Sequence, residues 1–148
     1  MSNSATDSGS FSPVFQSRQK FEQSCRRHIE FLEQGFTGDP THYYFESCRL
    51  QDECETAKAA MLAAPAISIA DVAHKLELSI NEVDELGEDS QSLALLRRGL
   101  MALRSGSVTT ARMLVNKALD GETDYEFAYE GAVSALADLK HTGLEAKS

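Results

Sequence analysis

Three cysteines and four histidines are the residues best suited to metal binding or nucleophilic chemistry, and their spacing decides how much of either they can do. Cys25 and His28 stand three apart, so on a helix both face one direction. Cys48 and Cys54 stand six apart, about 240° around a helix, and His42 and Cys48 share the same mismatch. A closed zinc site takes four ligands, usually as two close pairs. This chain offers one pair at best, so the cysteines read as small core residues and no metal is expected. Nucleophilic catalysis calls for a Ser or Cys beside a base, with donors for an oxyanion; neither Gly-x-Ser-x-Gly nor a framed catalytic cysteine occurs. Glycine loops that cradle phosphate are missing too. Glu82/Glu85 and Asp84/Glu88 are close on a helix, but carboxylates clustered on a polar face are ordinarily solvated. The expectation is a non-enzymatic protein without a cofactor.

The elements that must position these residues are helices. The 148 residues carry 14 Lys and Arg against 23 Asp and Glu, a net charge of −9, with 42% hydrophobic residues. A chain of this size buries roughly 70% of its unfolded surface, enough for one core. With no run of about 18 apolar residues, no membrane span is expected. Residues 1–10 are polar and predict a flexible tail without a secretory signal. The odd cysteine count fits a reduced, cytoplasmic protein.

Ser12-Pro13 is a cap followed by a proline, and Phe15, Phe21, Cys25, Ile29, Leu32 and Phe36 predict one apolar stripe on a helix ending at Gly35. Asp39-Pro40 repeats the start signal. The second helix runs through Tyr44, Cys48, Gln51, Cys54, Ala57 and Met61 and stops before Pro65. Two long helices on so short a link predict an antiparallel hairpin over 11–64. Shorter helices follow over 68–141: Ser68 to Leu76, Ser79 to Gly87 behind a Ser79/Glu82 capping box, 90–104, Ser107 to Leu119, and a last one behind a Thr123/Glu126 box. No segment alternates as a strand does. The fold class is all-α: a hairpin and then a bundle of four or five shorter helices, in a single domain over 11–148.

Charge falls in blocks. Glu77, Glu82, Asp84, Glu85, Glu88 and Asp89 precede Arg97, Arg98, Arg104, Arg112 and Lys117, and Asp120, Glu122, Asp124, Glu126, Glu130 and Asp138 follow. Either neighbouring helices neutralise one another, which is the simpler account, or Arg97 and Arg104, two turns apart, hold an acidic partner. Tyr43, Tyr44 and Phe45 offer an aromatic surface that is either core or a contact for self-association into a homodimer.

Gly99, Gly106, Ala111 and Ala118 fall at separations of seven, five and seven, and on them residues 95–118 resemble a single tetratricopeptide repeat. Leu95 and Thr123 depart from that pattern. Residues 69–86 resemble a helix-turn-helix through Val72, Ala73, Leu76, Ile80, Val83 and Leu86, with Glu77 in place of the turn glycine. The would-be reading helix carries Asn81, Glu82, Asp84 and Glu85, the wrong charge for phosphates, so nucleic acid is disfavoured. The run from Met61 to Ala66 gives the chain the look of small helical proteins of bacteria and prophages. Together these features predict an adaptor, regulator or inhibitor that binds another protein through a helical surface. Arg97, Arg98, Arg104, Arg112, Lys117, Tyr43 and Tyr44 are the candidate contact residues. The alternatives are a nucleic-acid-associated regulator and an acidic nucleic-acid mimic.

Overall fold

A computed structural model describes residues 12–35, 38–87, 91–120 and 127–141. The expected tail, Phe36 at the end of the first stripe, and the Thr123/Glu126 box lie outside the described residues. Every regular element among those described is an α-helix. The chain divides at Ala64/Pro65 into two compact units.

In the first unit, Ser12 Oγ accepts the Phe15 N–H at 3.1 Å and opens α1 (Pro13–Gln34), which Gly35 closes at φ +78°. Asp39 Oδ1 accepts the Thr41 N–H at 3.1 Å and opens α2 (Pro40–Ala63). Ala64 is extended ahead of Pro65, as a residue before proline prefers. Contacts between the helices run in opposite numerical directions. Phe31 stacks on Tyr43 with ring centroids 4.9 Å apart, His28 Nε2 lies 3.4 Å from Ser47 Oγ, and Arg27 Nη2 reaches Glu53 at 3.1 Å. The hairpin is antiparallel.

Its inner seam differs from the expected stripe. Val14, Ser17, Phe21, Ser24, His28 and Phe31 are buried or half-buried on α1, and Tyr43, Ser47, Leu50, Cys54, Ala57 and Met61 on α2. Both rows alternate steps of three and four, the 3.5-residue repeat of helices that wind left-handedly around each other. A strict 3.6-residue reading leaves this seam, which is why Ile29 and Leu32, expected inside, are 53% and 46% exposed.

In the second unit, Ser68 Oγ accepts the Asp71 N–H at 3.2 Å and starts α3 (Ile69–Glu85). Asp71 Oδ2 reaches back to the Ile67 N–H at 2.9 Å. Helix α3 is unbroken where two short helices were expected, and it ends at Gly87 with φ +77°. Helices α4 (Gln91–Arg104) and α5 (Val108–Leu119) form a tight pair around Gly106. The N–H of Gly106 bonds Leu103 O at 3.0 Å and that of Ser107 bonds Ala102 O at 2.8 Å, which closes α4 in a Schellman turn. Helix α6 (Glu130–His141) begins later than expected, after turn residues 127–129. Four helices thus make up the described part of this unit. One apolar core joins them through Val72, Leu76, Leu96, Leu103, Val115 and Leu139, with Tyr129 buried at the entrance to α6.

Ser79 explains the continuity of α3. Its hydroxyl is fully buried and caps a different helix, accepting the Ala132 N–H in the first turn of α6 at 2.7 Å. The cap signal in the sequence is therefore used, but across the fold. Ser79→Ala leaves that N–H buried without this acceptor and should cost about 1–3 kcal/mol in urea denaturation, with accelerated hydrogen exchange at Ala132.

Candidate functional site

The hairpin seam sorts the remaining residues of α1 and α2 onto two flanks. Positions just before seam residues fall on one side of an antiparallel pair, and positions just after them on the other. On the first flank Lys20, Ser24, Arg27, Arg49, Glu53 and Thr56 line a cleft of about 470 Å³, and Asp52, Ala57 and Ala60 complete its wall. Its guanidinium groups face carboxylates. Arg49 Nη1 donates to Glu53 at 2.6 Å and Nη2 to Glu46 at 2.5 Å, while Arg27 reaches the second oxygen of Glu53. The Arg49 hydrogen bond holds the Glu46 carboxyl below its ordinary range, and Glu46 in turn raises Arg49. Such a network makes a polar, charge-matched surface.

The second flank is apolar near the turn of the hairpin, whereas farther along it carries the Arg18–Glu22 ion pair at 3.1 Å. Ile29, Leu32 and Tyr44 follow seam positions, and Phe45 is adjacent, its ring set edge-on to Tyr44 at 5.7 Å. Exposures of 53%, 46%, 63% and 64% put all four at the surface near the turn of the hairpin. A hydrogen bond with Cys48, the chief cause, raises the Tyr44 phenol above its usual pKa. Of the two tyrosines expected to meet a partner, Tyr44 is at the surface. Tyr43 is half-buried against Phe31, because its position falls on the seam.

The basic candidates lie in the second unit. Arg97 pairs with Asp84 at 3.3 Å and Arg104 with Glu77, so two cations of α4 lean on two carboxylates of the antiparallel α3. Glu77 also has His74 Nδ1 at 3.6 Å. This matches the simpler account of the charge blocks. Each pair is solvent-exposed and contributes about 0–1 kcal/mol. Arg98 and Lys117 are exposed, and Arg112 is half-buried. Glu77, where a helix-turn-helix turns, lies inside a continuous helix.

Of the small residues at 99, 106, 111 and 118, Gly99 lies where α4 approaches α5. A Cβ on Gly99 would stand 3.0 Å from Val115 Cγ2 and 3.7 Å from the Ala111 carbonyl, so the bare backbone lets α4 and α5 approach.

One juxtaposition escaped the sequence reading. Cys25 and Cys54, on different helices, have their sulfurs 2.7 Å apart, with Cys54 donating toward Cys25. Spacing within one helix cannot reveal such a pair; the register of the hairpin could have. Among the described residues no three His, Cys, Asp or Glu side chains gather to hold a metal ion, and no helix is long and apolar enough to cross a membrane. Set beside models of protein families, curated proteins and solved structures, the chain matches none of them.

Proposed function

We propose that the chain is a non-enzymatic interaction module that binds another protein through the apolar flank of its hairpin. What carries this reading is the group of four large apolar side chains on that flank, each 46% or more exposed. Aromatic residues are enriched at the centres of interfaces, and contiguous apolar surface on a soluble protein marks a contact. The chemistry favours one kind of partner. A row following a 3.5-residue seam accepts a third helix in the same knobs-into-holes register, so the occupant is an amphipathic helix of the partner.

The test places a photo-crosslinking amino acid at Phe45 of the full chain and, as a control, at exposed Gln23 on α1. A distinct protein captured at 45 and not at 23, with capture falling at least tenfold in Ile29→Asp/Tyr44→Asp, supports the reading. Capture of a second copy alone replaces it with self-association. No capture, together with a mobility shift of nucleic acid at low salt, overturns it in favour of a nucleic-acid role.

A further inference from the structure

Cys25 and Cys54 have an arrangement that core packing does not call for. Their sulfurs, 2.7 Å apart, are well inside ordinary contact of two sulfur atoms and about 0.7 Å beyond a bond of ~2.05 Å. Neighbouring contacts fix the register that brings them together: Arg27 holds Glu53 at 3.1 Å and His28 lies 3.4 Å from Ser47. The two thiols also differ in access. Cys54 sits on the seam and is buried, whereas Cys25 is half-buried beside it. Cys48, the third cysteine, is bonded to Tyr44 one turn before it on α2.

We infer that Cys25 and Cys54 form a dithiol site that closes to an intramolecular disulfide by exchange with a low-molecular-weight disulfide, RSSR. The more accessible Cys25, as its thiolate, attacks one sulfur of RSSR. The S–S bond of the reagent breaks, and the first RS⁻ leaves and takes up a proton as RSH. Cys54 then gives its proton to solvent and attacks Cys25 Sγ in the mixed disulfide, expelling the second RS⁻, which also becomes RSH. Two cysteine thiols are oxidised, one RSSR is reduced to two RSH, and no other reactant is needed. The seam supplies the speed of the second step, because the resolving thiol already lies 2.7 Å from the sulfur that it attacks. The reverse exchange with excess RSH reopens the site, so the hairpin carries a reversible clasp between its two helices.

The full reduced chain is incubated with glutathione disulfide, alkylated, and mapped by mass spectrometry. The expected result is loss of two of the three alkylatable thiols, a mass lower by two hydrogens, one linked peptide pair containing Cys25 and Cys54, and Cys48 fully alkylated. Cys48→Ser leaves this unchanged. Cys54→Ser stops at a glutathione adduct on Cys25, with helicity by circular dichroism confirming that the variant is folded. In concentrated urea the preference should pass to the sequence neighbours Cys48 and Cys54, and the native-state excess of the Cys25–Cys54 bond over that pair should fall at least tenfold. A stable adduct on Cys25 of the native wild-type chain, or bonding chiefly through Cys48, overturns the inference.

Discussion

Replacing Asp138 with leucine lowers the unfolding free energy of the second unit by about 3–5 kcal/mol, because it takes a carboxylate away from a buried ammonium. Lys75 is 1% exposed, and its Nζ donates to Asp138 Oδ2 at 2.7 Å and to Ser134 Oγ at 3.0 Å. A serine hydroxyl offers a dipole where the carboxylate offers a charge, so Ser134 cannot make up the loss. The pair itself is a different matter. Taking both charges out of water costs nearly what their attraction returns, so Lys75→Met/Asp138→Leu should lie within about 1.5 kcal/mol of wild type. Urea denaturation of the full chain reads the cycle, and hydrogen exchange at α3 and α6 amides assigns the loss to this unit. An additive double mutant would show that the two groups do not depend on each other.

Gly131→Ala is the second large effect, about 3 kcal/mol or more. A Cβ there would stand 2.4 Å from the Lys75 carbonyl oxygen and 2.9 Å from Ser79 Oγ. The first obstacle is backbone inside a helix, so relief requires α6 to back away from α3. That movement also stretches the Ser79 hydrogen bond to Ala132 and the Lys75 bond to Asp138. Gly99→Ala is the control. Its nearest neighbour is a Val115 methyl at 3.0 Å, which can turn aside, and alanine gains up to about 1 kcal/mol over glycine in a helix interior. The two effects nearly cancel, so the expected change at 99 is under about 1 kcal/mol. Equal losses at 99 and 131 would contradict the reading of α3 against α6 as the closer backbone contact.

The ends of helices were far more legible than their faces. Ser12-Pro13, Gly35, Asp39-Pro40, Pro65, Ser68, Gly87 and Gly106 all act where the sequence places them, because capping and proline sterics are local. Faces depend on neighbours. The hairpin seam carries Ser17, Ser24, His28 and Ser47 at positions where a heptad shows large apolar residues, so its 3.5-residue repeat was hidden among polar side chains. Apolar Ile29, Leu32 and Tyr44, one step off, drew the stripe toward themselves. Ser79 has the sequence signature of a local cap, whereas the residue that it serves lies 53 positions away. The dithiol pair is invisible for the same reason: the distance between its sulfurs is a property of two helices in register. The charge blocks were legible as blocks, yet only the antiparallel course of α3 and α4 shows that Asp84 meets Arg97 and Glu77 meets Arg104.

The hydroxyl that bridges α3 to α6 has a bearing on biosynthesis. Once the chain has emerged from the ribosome as far as Leu119, α1 through α5 are free to fold. At that moment Ser79 has no amide to receive, Lys75 lacks Asp138, and the notch that Gly131 fills stands open. The apolar row of Val72, Leu76 and Val83 has been made without the whole of its cover. This unit therefore completes its core only once residues 130–139 have emerged, and until then its nascent form leaves apolar surface uncovered.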